Sequence, residues 1–301
     1  MRGSTLPSPP EIGMVGIGLR QPHFQFFAEQ EIAQSLKPDF LEIHTENYFF
    51  KDALPRVILR GISEKYPISA HSIGLSLGSV GGLDIAHLQQ TKEFVEEFRP
   101  IFVSDHLSWS ISWAGSADGI NIASKIAVPD LLPVPYTKEA MQVFCRNIEQ
   151  AQEELGQEFM IENPSSYIMF KENEYQEAEF IQEIANKTGC KILLDVNNIV
   201  VSANNHNFNA EEYLAYINPK SIGEIHIAGF SSRNIAGKKY FIDDHGSSPR
   251  EETWDLFNKA IAYFGNKTPV LIEWDNDLPQ DANILLNLVK KVRQIYTNCN
   301  L

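Results

Sequence analysis

The chain has 301 residues, 43% hydrophobic and 21% charged, a globular composition with enough apolar side chains for a large core. Its 39 acidic residues outnumber 25 Lys and Arg, giving a net charge of −14. That excludes the broad basic surface that binds nucleic acid by neutralising phosphates, and it disfavours docking on anionic lipid.

Three widely separated cysteines, Cys145, Cys190 and Cys299, include no C-x-x-C pair, which argues against a disulfide framework and a thiolate zinc site. The first residues carry no charged-then-apolar signal pattern, and no apolar run approaches the ~18 residues of a membrane span. The expected location is the cytoplasm.

Eight short apolar, β-rich runs recur along the chain, each followed by a polar turn and a helical stretch. They are Met14–Leu19, Asp39–His44, Ile68–His71, Ile101–Ser104, Phe159–Glu162, Ile192–Asp195, Ile222–His226 and Val270–Glu273. Amphipathic spacing predicts helices over Gln89–Phe98, Lys138–Leu155 and Glu177–Lys187, with Thr137 as a helix cap. Alternation of strand and helix implies a parallel sheet, and eight repeats predict closure into a (β/α)8 barrel. A single domain over residues 1–301 is expected, with the barrel core at about 14–290. The competing open sheet lacks a G-x-G-x-x-G turn, because Gly13, Gly16 and Gly18 lie within the first strand itself. Two longer connections, Ser110–Thr137 and Gly229–Arg250, are expected to form excursions over one end of the barrel.

The polar residues fall at the strand ends. His44, His71, His106, Glu162, Asp195, His226 and Glu273 close the runs or follow them, and Phe241–His245 adds Asp243 and His245. Strands of a β/α barrel all point one way, so these side chains should surround one mouth. Seven of the eight histidines, all but His87, lie at or just beyond a predicted strand. Imidazole and carboxylate together suit iron, zinc, copper or nickel, and eight or nine ligands exceed what one ion needs. Two or three ions are therefore implied.

Blander readings stand beside this one. A lone buried histidine is ordinarily a hydrogen-bonded core residue; the shared location of the whole set favours metal. Glu42, Glu46 and Glu224 read as partners that orient a histidine, with direct ligation as the alternative. Trp109, Trp113 and Trp274 fit rim packing or substrate stacking equally. His87 reads as a surface residue and Lys171–Glu183 as a solvated helix face.

The ordered segments Gly16–His23 (GIGLRQPH), Glu42–Tyr48 (EIHTENY), His71–Gly78 (HSIGLSLG), Ser104–Trp109 (SDHLSW), Glu162–Tyr167 (ENPSSY), Asp195–Asn198 (DVNN) with Ser202–His206 (SANNH), Glu224–Gly229 (EIHIAG) and Glu273–Asp275 (EWD) resemble the multinuclear non-haem iron-dependent oxidative enzymes. This family was long classed as a domain of unknown function. The likeness runs from about residue 14 to 280. It implies a xylose-isomerase-like TIM barrel, α/β in class, with the metal cluster at the C-terminal mouth of its strands. It also implies two or three iron ions, a mixed-valent Fe(II)/Fe(III) working pair and O2 as co-substrate.

Members modify ribosomally synthesised precursor peptides, commonly at cysteine, and generally work with a leader-binding partner protein. The best-known makes the oxazolone and thioamide pairs of methanobactin; others excise the β-carbon of a terminal cysteine or build sulfur heterocycles. By position, the resemblance puts one iron on Glu162, Asp195, His226 and Glu273. A second would lie on His71 and His106 with Glu162 bridging, and a third on Asn198, Asp243 and His245. Asn198 stands where related metal barrels place a histidine, so the third site has the weakest donor, and Asp244 competes with its neighbours for it.

The expected chemistry is oxidation of a cysteine side chain whose thiolate is held on one ion while hydrogen is taken from its carbon. His44 and Glu46 are expected to assist proton transfer near the mouth. The two excursions should shape the choice of peptide, with Trp113, Tyr136 and Arg233 as substrate contacts. The rival enzyme readings are a trinuclear zinc phosphodiesterase of the abasic-site endonuclease type and a sugar isomerase or epimerase on the same barrel. A non-catalytic metal-storage protein is the rival from another class.

Overall fold

All eight apolar runs become strands of one closed barrel in the computed structural model, which describes residues 13–114 and 124–299. In chain order the strands are β1 (Val15–Gly18), β2 (Phe40–His44), β3 (Ile68–His71), β4 (Phe102–His106), β5 (Trp109–Ala114), β6 (Ser124–Leu132), β7 (Met160–Glu162), β8 (Lys191–Asp195), β9 (Ile222–Ile227), β10 (Ser231–Ile235), β11 (Lys238–Ile242) and β12 (Val270–Ile272). β1, β2, β3, β4, β7, β8, β9 and β12 pair parallel in that circular order. The barrel closes where Val15 pairs with Val270 and Ile17 with Ile272. The fold is thus the α/β barrel that the alternation predicts. The remaining strands form two antiparallel hairpins, β5–β6 and β10–β11, inside the two long excursions.

Nine helices in the described residues cover the barrel: α1 (Phe24–Glu29), α2 (Leu54–Ser63), α3 (Ile85–Phe98), α4 (Lys138–Leu155), α5 (Glu177–Thr188), α6 (Val196–His206), α7 (Ala210–Tyr216), α8 (Glu251–Phe264) and α9 (Asn283–Asn298). None of them is long and apolar enough to cross a membrane. Thr137 caps α4 as expected, its hydroxyl accepting from the Ala140 amide.

Two local expectations are corrected. α3 begins four residues before Gln89, because Asp84 accepts from the Ala86 and His87 amides and so nucleates an earlier first turn. His87 therefore sits in that turn, half-buried, its Nε2 3.1 Å from Glu46 Oε1 and its ring edge-on to Phe49. The acid-rich stretch is not uniformly solvated either. Glu177, the first residue of α5, turns inward to accept from the hydroxyls of Tyr136 at 2.6 Å and Tyr213 at 3.1 Å.

Alternation along the barrel strands sets the floor and the mouth. On β2 the side chains Phe40, Glu42 and His44 share one face and climb from floor to rim. Phe40 meets Phe102 edge-on, 5.6 Å between ring centres. A Cβ at Gly16 would lie 2.4 Å from the Phe40 ring, so glycine there lets that ring cross the barrel. The floor is apolar; the polar residues stack above it.

Candidate metal centre

β3, β4 and β7 deliver His71, His106 and Glu162 to the same point. The Nε2 atoms of the two histidines lie 3.3 and 3.4 Å from one oxygen, Glu162 Oε2. Ser104 precedes His106 by two residues on the same strand face, and its hydroxyl meets His71 Nδ1 at 2.8 Å. With Nδ1 engaged, Nε2 is the nitrogen left facing Glu162.

Asp195 ends β8 and caps α6: Oδ1 accepts from the Asn198 amide at 2.7 Å. The Asn198 side chain donates its NH2 to Glu162 Oε1 (3.1 Å) and the Asn163 carbonyl (3.0 Å). From β9, His226 Nδ1 lies 3.1 Å from Glu273 Oε2. From the segment after β11, His245 Nδ1 lies 3.5 Å from that same oxygen and His245 Nε2 2.7 Å from Asp243 Oδ1. His245 holds a left-handed backbone (φ 44°), a strained state that its neighbours impose.

Five groups among the described residues each bring ligand atoms within 4.8 Å of one another: His71, His106 and Glu162; Glu162, Asp195 and His226; Asp195, His245 and Glu273; His44, Glu273 and Asp275; and, beneath the mouth, Glu42, Glu224 and His226. Asp243 is tied to Asn197, whose amide donates to Oδ1 at 2.8 Å. Asp244 Oδ1 accepts from the Gly246 amide instead.

Burial drives the electrostatics. It pushes Glu162 up to about 7 against the pull of His106 and His226, and, with Glu162 beside it, Asp195 well above the carboxylate range. Burial, with His106 and His226 nearby, holds His71 well below the usual imidazole range. For His106 burial opposes the charge, but Glu162 and Asp105 outweigh it and raise the ring to about 9. Burial is likewise overcome at Glu273, which His245 and His226 hold well below the carboxylate range.

Three acceptor atoms decide whether a cation fits. Glu162 Oε2, Asp195 Oδ2 and Asn198 Oδ1 are buried and have no hydrogen-bond partner among the described residues. Leaving such atoms unmade costs ~1–3 kcal/mol each, more when charged. Glu162 Oε1 and Asp195 Oδ1 accept hydrogen bonds and the Asn198 NH2 donates two, while these three oxygens are left bare. Only a cation or a proton can satisfy a carboxylate oxygen faced by two imidazole nitrogens, so the donor set fits metal ions.

Some residues that the mouth uses are missing from the sequence reading. Arg20 follows β1 and donates through Nε to Asp275 Oδ1 at 2.7 Å, while its Nη2 meets His44 Nε2 at 3.0 Å. His44 Nε2 is thus the acceptor from a permanently charged guanidinium, and the ring proton sits on Nδ1. Asp275 also approaches His44 and His245, both at 3.6 Å. Asp105, beside His106, accepts from the Leu75 amide and anchors the loop after β3. Extending the strand-end rule by two residues would have found all three.

Beneath the mouth, Glu42 accepts from Ser69 and lies 3.6 Å from His226 Nε2, and Glu224 lies 4.0 Å from the same nitrogen.

The other expected residues sit elsewhere. Glu46 Oε1 takes the Ile73 and Gly74 amides as well as His87, which binds it to the loop after β3. Tyr136 is buried with its hydroxyl on Glu177. Arg233 is exposed on β10. The Trp113 side chain lies outside the described residues. The Trp109 and Trp274 ring nitrogens donate to the Pro133 and Asn276 carbonyls. Of the seven histidines near strands, His23 bonds the Pro279 carbonyl and His206 the Ser166 hydroxyl, so five reach the mouth.

Comparison with known proteins supplies the family. A UPF0276 protein of Psychromonas ingrahamii is 41% identical over 275 residues, covering 91% of this chain and 92% of that one. One from Vibrio vulnificus is 42% identical over 277 residues, with 92% and 89% covered. Among solved structures, the 3-keto-D-glucoside 4-epimerase of E. coli superposes with a TM-score of 0.55 at 15% identity, covering 94% of this chain and 99% of that one. Endonuclease IV of Thermus thermophilus gives 0.56 at 13% identity, with 93% and 99% covered. These two likenesses are of fold, that of the xylose-isomerase-like barrels. The model of the RiPP precursor modification enzymes MbnB/TglH/ChrH matches residues 14–297, and with the relatives at about two-fifths identity it places this chain in that family.

Proposed function

We propose that the chain is a multinuclear non-haem iron oxidase, dependent on O2, that modifies cysteine in a ribosomally synthesised precursor peptide in the cytoplasm with the help of a leader-binding partner protein. The observation that carries this reading is the convergence of the bare acceptors of Glu162, Asp195 and Asn198 among five mouth histidines, within a family of peptide-modifying enzymes.

Glu162, Asp195, His226 and Glu273 would hold one iron, His71 and His106 a second with Glu162 between the two, and Asn198, Asp243 and His245 a third. When bound, iron would supply a Lewis acid for a thiolate and an electron route to dioxygen.

The chain's own residues do the rest. Ser104 fixes the His71 ring so that Nε2 faces inward. The Glu42 charge, 3.6 Å from His226 Nε2, favours a proton on that nitrogen, which would leave Nδ1 with a lone pair toward the mouth. Arg20 holds Asp275 and His44 along one wall and keeps a positive charge beside Glu273 at 3.6 Å. Because Arg20 fills its Nε2, His44 can carry a proton to or from substrate only at Nδ1.

A hydrolytic or epimerase reading rests on fold likeness alone. Metal analysis with anaerobic and aerobic turnover of a cysteine-containing precursor tests the proposal. Conversion without O2 or any other oxidant would remove it.

A further inference from the structure

Beside the mouth lies a cavity of about 360 Å3, large enough for one long side chain. Its rim is apolar and open: Ile168, Met169 and Phe208 are 58%, 64% and 41% exposed. Its polar floor is Glu177, whose Oε2 and Oε1 each accept one tyrosine hydroxyl, from Tyr136 and Tyr213.

The ionisable groups other than tyrosine along its wall are Glu177, Glu212 and His206, and no lysine or arginine lines it. No ion pair reaches Glu177 among the described residues. The carboxylate is oriented by two neutral donors, yet lacks a counter-charge. Each oxygen keeps a second lone pair, and a cation is the group that would gain most there, through a charge-assisted hydrogen bond. The apolar rim excludes a bare, hydrated ion and suits a methylene stem that ends in a charged head.

The cavity is also joined to the metal mouth. Ser166 lines its wall, and the next residue, Tyr167, accepts the Asp243 amide at 2.9 Å.

We propose that this cavity is a subsite for a lysine or arginine side chain of the peptide substrate, with its stem on Ile168, Met169 and Phe208 and its charged head on Glu177. The assignment of the ligand to a peptide rests on the proposed function; the preference for a cation on an apolar stem does not.

Binding is therefore tested without turnover. Amide spectra of the 15N-labelled full chain are titrated with N-acetyl-lysine-amide, N-acetyl-norleucine-amide and N-acetyl-glutamate-amide, which share a backbone and differ in the head group. The lysine compound should shift the amides of residues 168–170 and 208–213, and bind about fivefold tighter than the norleucine compound. In Glu177→Gln the two should bind alike. The proposal is overturned if norleucine or glutamate binds as well as lysine, if lysine keeps its advantage in Glu177→Gln, or if no compound shifts those amides. Should Glu177→Gln fail to fold, the ranking of the three compounds on the unaltered chain decides alone. Lysine binding with no peptide oxidised would retire the oxidase reading and leave the subsite. Oxidation without lysine binding would do the reverse.

Discussion

The mouth and the side cavity bury carboxyls in opposite ways. Burial pushes Glu162 and Glu177 alike up to about 7. Glu177 is met by a hydroxyl on each oxygen, whereas Glu162 Oε2 is met by two imidazole nitrogens and no donor. Hydroxyls orient the Glu177 carboxyl in the folded chain by itself, one on each oxygen, but bring it no counter-charge. Imidazoles facing a bare oxygen satisfy it only once a cation or a proton lies between them. The difference teaches that burial alone does not mark a candidate metal ligand; at Glu162 the bare oxygen also faces two imidazole nitrogens.

Replacing the shared oxygen should break the mouth most severely. Glu162→Ala removes the ligand proposed to be shared by two ions, and is expected to strip both and cut peptide turnover by more than about 100-fold, beyond the loss of an outer partner. Elemental analysis of the purified variant, with circular dichroism to verify folding, checks this. Retention of the full metal content would mean that Glu162 is not the bridge.

Glu42→Gln acts one step further out. Without the Glu42 charge 3.6 Å from Nε2, His226 loses the neighbour that favours a proton there, and metal affinity should fall by about 10–100-fold, read by competition with a chelator. Unchanged affinity would make Glu42 a filler of the barrel floor.

Asn198→Leu removes the weakest donor of the set. One ion per chain should be lost while the others stay, so the count separates the third site from the first two.

The smallest effect belongs to the cavity. The Glu177 pKa lies near 7 in the folded chain, above its usual 4.5, so folding favours the protonated form. That contribution is complete below pH 4.5 and is lost as the pH rises through 7, a change on the order of 1–3 kcal/mol. Glu177→Gln, which stays neutral, should therefore gain several degrees in Tm relative to the unaltered chain between pH 5 and pH 8. Its metal content should not change. A pH-independent difference would mean that Glu177 titrates as an ordinary surface acid.

The barrel was legible because each strand is a short apolar run ending in a polar residue, and closure turns eight such ends into one rim. Asn198 entered the candidate set only through the family likeness, since no local pattern tells an amide that offers its oxygen from one that offers its nitrogen. Arg20 and Asp275 were missed because they lie one or two residues past the strand ends. Glu177 was misread within an acid run. Its direction is set by Tyr136 and Tyr213, 41 and 36 residues away, and no local spacing encodes that. His87 was misread likewise, because the cap at Asp84 moved the start of α3.

The central claim is tested most directly by co-expressing the chain with the short peptide and partner protein encoded beside it, then weighing and fragmenting the peptide by mass spectrometry. The account predicts a mass change localised to cysteine that appears with O2 and is lost with Glu162→Ala. A peptide left unaltered by the iron-loaded chain and its partner in air, or altered equally under strict anaerobiosis, would contradict it.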